Sequence, residues 1–455
     1  MIRPLIVVCR TWFLSLLFFL YACRTSDPSK SGVLSFNVPA NMTLLQNLRN
    51  QLGTFEKQNH IKVKLIPFTG QEKLYAMMAA GQPPDVFYTN TVVRDQLAAE
   101  GRLLDLYTVV AQDPFIHEIR PVFIERGTSI DGGWYQFCDW TFTYGIYFNK
   151  SLFDRQHVPY PDSAWTWQDL VQYSRALTKD TDQDGKIDRY GVFIAKHFVS
   201  ALETMNGAVY PANALFFELP PESRQALQSY LDLMYRDKVM PELAMTQAQG
   251  MQGAQMLNSG RVAMVAEAVP NLDFITSLTV DWDVAPFPRM TPLTPRYFRS
   301  ASGGLSISSS CRNPEKAWAL IKWLVTSSPY NTPNPVLNSV DVVSGWEAQH
   351  PRLAQTHFGQ VWRLSERYDG GDSRDFVRYF SWSSNAILEE LGPMMDRVFS
   401  GQMSLEELAL ATPAINAHAR REMDKALSNP SLKGVFREKI KASLQAYEAG
   451  IHDGR

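Results

Sequence analysis

The switch from a strand pattern to a helix pattern within residues 134–170 constrains the fold most strongly. Residues 137–148 form an apolar run rich in aromatic and β-branched side chains, which predicts a strand. A short helix is expected directly after Asn149. A proline-containing turn then leads to a second helix at Thr166, where the acid Asp169 follows three residues later as in a capping box. This alternation of strand and helix is typical of an α/β chain.

The same alternation continues on both sides of this segment. Upstream, residues 81–90 read GQPPDVFYTN and predict a strand that follows a helix closed by glycine. Downstream, residues 260–264 read GRVAM and open another strand, and residues 300–308 predict a further one. Asn313, followed by a proline, predicts the start of the next helix. A chain of 455 residues with this pattern is expected to form two α/β domains or lobes.

In the same order, these motifs resemble those of the extracellular solute-binding protein family 1, whose members carry sugars for bacterial ABC transporters. The segment Asn149–Thr166 resembles the family's YNKxLF and TWxEL motifs, residues 81–90 resemble its GxxPDV signature, and residues 260–264 resemble its GkaAM unit. The resemblance implies a periplasmic-binding-protein-like α/β fold of type II. Two α/β lobes are then joined by crossover hinge strands, and residues 137–148 are one of the crossovers.

The resemblance also implies an order of domains along the chain. The first lobe is built from two separate stretches, and the strand at residues 282–288 is expected to return the chain to it. The expected segments are a signal peptide at 1–22, a lipid-anchored linker at 23–32, lobe 1 at 33–142, lobe 2 at 143–278, the return to lobe 1 at 279–328, and a crossover with C-terminal helices, mainly in lobe 2, at 329–455.

The N-terminal residues predict an exported protein with a lipid anchor. Two arginines precede an apolar run over residues 12–22, which is too short for a membrane-spanning helix and suits a signal peptide. The run ends in LYAC, which resembles a lipobox, so Cys23 is expected to be the lipidated first residue of the mature chain. An ordinary cleaved signal with an incidental cysteine is the alternative. Cys138 and Cys311 remain in the mature chain, and an isolated pair does not show whether the two are bonded.

Composition and motifs exclude several classes of protein. A net charge of −2 with 20% charged residues offers no basic surface for nucleic acid. The sequence contains no GxSxG or P-loop motif. It also contains no HExxH zinc motif, because His117 and Glu118 are followed by Pro121 where the second histidine is needed. The eight histidines show no metal-ligand spacing. An active site assembled from residues distant in sequence leaves no motif, so a secreted hydrolase is an alternative.

The first group of candidate ligand contacts follows from the places where strands end. In an open α/β sheet, ligands lie beyond the carboxyl ends of the strands. Polar or aromatic residues end the first and third predicted strands, and glycines in a later strand would let the backbone approach a ligand. These candidates are Asn37, Tyr88, Thr89, Asn90, Gly303 and Gly304. The same residue types are favoured in turns and bulges, so a structural role is the alternative.

The second group is aromatic and lies on the crossover. Aromatic rings cover the C–H faces of sugars, while amides and carboxylates bond the hydroxyls. Trp140 is the strongest candidate, and Phe142 and Tyr144 follow it in the same strand. The pocket is expected to be more aromatic and less charged than in many relatives. That composition favours a larger or less polar glycan, or a ligand that is not a sugar.

A third group lies further along the chain. Many relatives have a stacking Trp after the strand that contains GRVAM, whereas this chain has Glu267 and Asn271 there, and either residue is expected to bond a hydroxyl instead. Trp346 and Trp382 lie where relatives often place a late aromatic residue against the sugar. No motif fixes the role of either Trp, and core packing is the alternative for both.

Residues 179–191 read KDTDQDGKIDRYG and resemble a calcium loop. Carboxylates stand at positions 1, 3, 5 and 9 of such a loop, and Gly185 stands at position 6, where a sharp turn brings oxygens onto a hard cation. The bidentate Glu of a full EF-hand is missing, and a solvated acidic turn is the alternative. The candidate ligands are Asp180, Asp182, Asp184, Lys186 and Asp188. Any calcium would be structural, and no cofactor is otherwise expected.

The function implied by the resemblance is capture and delivery of a solute. A carbohydrate, expected to be an oligosaccharide or a glycoside, would be held between two closing lobes and handed to an ABC permease. The partners are then the small-molecule ligand, the permease subunits and the membrane that holds the lipid anchor. The protein is expected to be an extracytoplasmic monomer without enzyme activity. The alternatives are a secreted carbohydrate-active hydrolase and a sensor protein of the same fold.

Overall fold

The computed structural model describes residues 32–40, 42–68, 70, 72–139, 142–198, 215–248, 250, 252–290, 303–327, 335–368 and 381–449. Strands and helices alternate through these residues, which confirms the predicted α/β class. The strands are β1 (Val33–Pro39), β2 (Lys62–Phe68), β3 (Val86–Asn90), β4 (Phe137–Cys138), β5 (Thr143–Asn149), β6 (Tyr190–Phe193), β7 (Val262–Val269), β8 (Trp282–Pro286) and β9 (Gly303–Ile307).

The helices take up most of the rest of the described chain. In order, they are α1 (Met42–Asn59), α2 (Glu72–Ala79), α3 (Thr91–Ala99), α4 (Tyr107–Val110), α5 (Pro121–Gly127), α6 (Lys150–Gln156), α7 (Trp167–Leu177), α8 (Pro221–Tyr235), α9 (Leu243–Ala248), α10 (Gly253–Asn258), α11 (Leu272–Ser277), α12 (Pro314–Thr326), α13 (Val342–Gln349), α14 (Phe358–Tyr368), α15 (Ser384–Phe399), α16 (Leu405–Ser428) and α17 (Gly434–Glu448). Short 3-10 helices occupy Pro114–Glu118, Lys196–Phe198 and Pro351–Gln355. Within the described residues, every helix is too short or too polar to span a membrane.

Local sequence signals account for several helix starts. The Thr166 hydroxyl accepts the amide of Asp169, and the Asp169 carboxylate accepts the amide of Thr166, so the predicted capping box at α7 is confirmed. Asn149 caps α6 by accepting the amide of Leu152 at 3.3 Å. Satisfying these first amides fixes where strand β5 stops and helix α6 begins.

The first sheet has five strands in the order β2-β1-β3-β9-β4. β1 runs parallel to both β2 and β3, with Phe36 level with Val86, so the carboxyl ends of the three strands lie at one edge. β4 pairs antiparallel with β9, with Cys138 level with Gly304. Asn37 and the last residues of β3 therefore lie toward the sheet edge where the sequence places ligand contacts.

The second sheet has four strands in the order β6-β7-β5-β8. β5 pairs antiparallel with β7 and β8, and β6 pairs parallel with β7. Every residue of β5 and β8 is buried, which explains why residues 143–149 read as a continuous apolar run without alternation. β4 belongs to the first sheet and β5 to the second, so residues 137–148 pass from one sheet to the other, as the sequence predicts.

One predicted boundary needs correction. Residues 279–328 were expected to lie in lobe 1, but β8 pairs with β5, with Trp282 level with Asn149, and therefore belongs to the second sheet. The return to the first sheet comes after Pro286 and before β9. The pairing partner of a short buried strand depends on contacts distant in sequence, so the motif located the strand but not its sheet.

Contacts divide the described chain into two compact units. The first comprises the described parts of Met1–Tyr88 and Ile307–Tyr330, and the second comprises those of Thr89–Ser306 and Asn331–Arg455. In the first unit, α12 packs near α1, where the half-buried Trp323 lies 5.6 Å from Phe55 between ring centroids. In the second unit, a large apolar cluster joins β5, β7 and β8 to helices α13 and α14. Apart from the placement of β8, the domain boundaries given by the family resemblance are a finer division and stay a prediction.

Candidate ligand site

The last residues of β3 have their polar groups largely committed to the protein. Thr89 is buried, and its Oγ1 lies 2.8 Å from the Oγ of Ser306. The amide nitrogen of Gln136 donates to both the carbonyl oxygen and the Oγ1 of Thr89, at 2.7 Å each. Asn90 is exposed and accepts the amide of Val93 at 2.9 Å, so it caps α3. Thr89 therefore has a structural role beside the candidate site, and Asn90 remains an exposed candidate for ligand contact.

In the first unit, Asn37 and Tyr88 lie at the same sheet edge. The Asn37 side chain is 1% exposed and donates to the carbonyl of Ile66 at 3.1 Å. Within the described residues its Oδ1 is buried without a hydrogen-bond partner. An acceptor in that state costs about 1–3 kcal/mol, so Asn37 has a physical reason to bind a donor. Tyr88 is half-buried with its ring 6.2 Å from that of Phe36.

The aromatic candidates of the crossover form a chain of edge-to-face contacts. Phe142 is half-buried and lies 5.2 Å from Tyr144 between ring centroids, at 67°. Tyr144 is buried and lies 4.8 Å from Phe198, at 85°. These geometries are those preferred by aromatic pairs in a core. Phe142 is therefore partly exposed and packs on the buried Tyr144, and Trp140 lies outside the described residues.

A carboxylate and an amide meet at the end of β7. Glu267 is half-buried and accepts the amide of Ala268 at 2.8 Å. Asn271 hydrogen-bonds the Glu267 carboxylate and also caps α11 by accepting the amide of Phe274 at 3.0 Å. Burial raises the pKa of Glu267 above its usual value, and the bonds from Ala268 and Asn271 offset only part of that rise. The pair is thus a preorganised polar group at a strand end.

The glycines of β9 have a structural explanation. A Cβ at Gly304 would lie 2.0 Å from the carbonyl oxygen of Phe137, so any larger residue would push β9 away from β4. Gly303 is buried in the same strand. Close strand approach therefore accounts for Gly304, and ligand contact at either glycine stays a prediction.

The late tryptophans occupy different environments. Trp346 is 1% exposed and packs edge-on against Phe358 at 5.7 Å and Trp362 at 5.0 Å, inside the apolar cluster of the second unit. Protein covers its indole ring, so Trp346 packs in the core, which is the alternative to a ligand contact. Trp382 is half-buried and contacts Phe436 edge-on at 5.9 Å. Trp382 therefore keeps exposed surface, and its role as a ligand contact stays a prediction.

The acidic loop brings three of its carboxylates together. One oxygen from each of Asp180, Asp182 and Asp188 lies within 4.8 Å of the others. Gly185 adopts a φ of +86° in the turn, a conformation that glycine tolerates best. The side chains of Asp184 and Lys186 pair with each other at 3.1 Å. Three convergent carboxylates on a sharp turn suit a hard cation, and Lys186 offers only its backbone carbonyl.

The loop is also stabilised by its own hydrogen bonds. Asp188 accepts the backbone amide of Thr181 at 2.6 Å and the Thr181 hydroxyl at 2.5 Å, which lowers the pKa of Asp188. Asp180 accepts the amide of Gly185 at 2.8 Å. These bonds orient the carboxylates of Asp180 and Asp188, which suits both a cation site and a solvated turn.

The two described cysteines are free thiols. Cys138 is buried, and Cys311 is partly buried. Burial raises the pKa of each thiol to about 12, so neither is a reactive thiolate at neutral pH.

The fold, the strand ends and the aromatic crossover can now be compared with known proteins. The model of the bacterial extracellular solute-binding protein family matches residues 40–329. The chain belongs to this family. The extracellular description of the family implies that this solute-binding protein lies outside the cytoplasm. A search of curated proteins found no match.

Solved solute-binding proteins share the fold at low identity. An ABC substrate-binding protein from Listeria monocytogenes, solved with cycloalternan, is 18% identical with a TM-score of 0.67, covering 87% of this chain and 99% of that one. The maltose/maltodextrin-binding domain of Bdellovibrio bacteriovorus, bound to maltotriose, is 18% identical with a TM-score of 0.63, covering 86% and 100%. The GacH receptor of Streptomyces glaucescens, solved unliganded and with acarbose, is 18% identical with a TM-score of 0.65, covering 86% and 98%. This likeness confirms the type II fold.

Proposed function

We propose that this solute-binding protein captures a carbohydrate, an oligosaccharide or a glycoside, and delivers it to the permease of an ABC importer. The observation that carries the proposal is the aromatic crossover between β4 and β5. Phe142 is half-buried there, its ring lies 5.2 Å from that of the buried Tyr144, and polar groups such as Asn90 lie at strand ends. Aromatic faces and amides are the combination that binds sugars.

The comparisons support the same ligand class. Proteins that share the fold were solved with cycloalternan, maltotriose and acarbose. The family is one of solute-binding proteins, so we propose that the carbohydrate is bound and released unchanged. Lipidation at Cys23 would hold the monomeric protein at the membrane beside its permease, because residues 12–22 have the pattern of a signal peptide.

A thermal-shift screen tests this function. The protein should unfold at higher temperature with at least one glycan from a panel that includes maltotriose, cycloalternan and acarbose. Binding to the folded state stabilises it by about 2.7 kcal/mol when the free ligand is a hundredfold above its Kd.

The same screen tests the place of the ligand. Trp140→Ala should abolish the glycan-induced shift, because the crossover would lose its largest sugar-stacking face. Trp140→Phe should retain part of the shift, and Tyr75→Ala, which removes an exposed aromatic ring on α2, should retain all of it. A full shift in Trp140→Ala would mean that the ligand lies elsewhere.

We propose further that the loop at residues 179–191 binds one structural calcium ion. The convergence of three carboxylates around Gly185 supports a cation there. Calcium at millimolar concentration should raise the unfolding temperature by about 2–4 °C, and a chelator should reverse the effect. Asp182→Asn should remove the calcium response, whereas the exposed Glu438→Gln on α17 should keep it. An equal response in both variants would contradict a site in this loop.

A further inference from the structure

Gln136 precedes β4 and is fully buried. Its amide nitrogen donates to the carbonyl and the hydroxyl of Thr89, and its Oε1 accepts the thiol of Cys138 at 3.5 Å. We propose that Gln136 is a positioning residue of the ligand site, which holds the end of β3 in register with the start of the crossover. This inference rests on the proposed function, because it concerns the same site.

The side-chain contacts form a buried bridge among three residues of the second unit. Gln136 bonds Thr89 on β3, and the Thr89 hydroxyl lies 2.8 Å from the hydroxyl of Ser306 on β9. Gln136 and Ser306 are completely buried, and Thr89 is 4% exposed. A buried polar group left without its partner is destabilising, so the bridge holds these side chains in one arrangement.

The bridge ends next to residues that the sequence assigns to the ligand. Asn90 follows Thr89 directly and begins α3, and Trp140 comes two residues after Cys138. A movement of Thr89 would therefore be passed along the backbone to Asn90. Binding groups must be held within about 0.5 Å of their productive geometry, so loosening the bridge should weaken binding.

The backbone at Gln136 is held independently of its side chain. Its amide donates to the carbonyl of Gly127 at 3.3 Å, and its carbonyl accepts the indole nitrogen of Trp134 at 2.7 Å. Tyr135 also donates its amide to Gly127 at 3.1 Å. Replacing the Gln136 side chain should therefore leave the segment folded while removing the link to Thr89.

Hydrogen exchange of the ligand-free protein gives the first readout. Gln136→Leu keeps the approximate volume and removes the donors, so amide exchange should accelerate at residues 90–93. Asn416→Leu is the matched control, because it also removes two amide bonds, to the backbone of Phe217 at 2.8 and 3.0 Å, but from α16. Unchanged exchange at residues 90–93 in Gln136→Leu would overturn the positioning role, whether or not a glycan binds.

Affinity for the glycan found in the screen gives the second readout. Gln136→Leu should weaken binding about tenfold or more, and Asn416→Leu should leave it within about twofold of wild type. Gln136→Glu supplies an isosteric test, because only a protonated carboxyl donates to the Thr89 carbonyl. Its affinity relative to wild type should therefore recover as the pH falls from 8 to 5. The charged groups that act on the adjacent Cys138 are Arg94, Arg126 and Asp139. They shift the pH at the midpoint of that recovery but not its direction.

The outcomes separate the two proposals. Equal weakening of Gln136→Leu and Gln136→Glu at every pH, or wild-type affinity in Gln136→Leu, would overturn the positioning role. Failure of the wild-type protein to bind any glycan would instead contradict the proposed function, since the exchange experiment needs no ligand.

Discussion

Asp95→Ala is expected to lower the free energy of unfolding by about 3–5 kcal/mol, because the substitution leaves a buried cation without its partner. Asp95 is 2% exposed and Arg94 is 4% exposed, and the two side chains meet at 2.8 Å. The Asp95 carboxylate also accepts the hydroxyls of Ser129 at 2.7 Å and Ser381 at 2.6 Å. Nη1 of Arg94 donates to the carbonyl of Arg126 at 2.5 Å; the substitution leaves this bond in place, but it does not neutralise the buried charge.

Urea denaturation measures this effect against two controls. Glu438→Ala, which breaks an exposed pair with Lys441, should leave stability nearly unchanged because solvent screens such pairs. The double variant Arg94→Met with Asp95→Leu should be less destabilised than Asp95→Ala, because it removes both charges together. A loss below about 1 kcal/mol in Asp95→Ala would show that solvent reaches Arg94 and replaces the carboxylate.

Trp346→Ala is expected to lower the free energy of unfolding by about 3–5 kcal/mol, the cost of removing a large aromatic side chain from a packed core. The Trp346 ring meets Phe358 at 79° and Trp362 at 82°, so two edge-to-face contacts are lost with it. Such contacts contribute about 0.5–1.5 kcal/mol each beyond burial. The cavity would form inside the buried apolar cluster, where α13 and α14 pack on the second sheet.

This substitution also separates a core role from a ligand role. Trp346→Phe should recover much of the lost stability, because it refills part of the cavity. Both variants should bind glycan with near wild-type affinity at temperatures where they remain folded. If Trp346→Ala kept normal stability but lost glycan binding, Trp346 would instead be a ligand contact.

The sequence predicted the elements of the fold better than their pairing. The cap at Thr166 follows from a local signal, and the passage of residues 137–148 between sheets follows from the family resemblance; the structure confirms both. The sheet that receives β8 depends on pairing with β5, which no local pattern encodes. Motifs therefore located the strands, whereas long-range contacts decided one lobe boundary.

The site residues show a second limit. Asn90 is predicted as a polar residue at a strand end and Asn271 as a hydroxyl-bonding residue where relatives have a stacking Trp, and both cap the helix that follows. Helix caps and ligand contacts favour the same side chains, so the sequence pattern does not separate the two roles. Gln136 was missed because it lies in no motif, although a polar residue between Tyr135 and Phe137 in an apolar run was the available signal.

Calorimetric titration of the wild-type protein with the glycan that protects it most, followed by mass spectrometry of the recovered glycan, tests the central claim most directly. If the protein is a carrier, one glycan should bind saturably to each chain and should be recovered completely. Absence of binding across the panel, or recovery of shorter products after incubation, would contradict a protein that binds a carbohydrate and releases it unchanged.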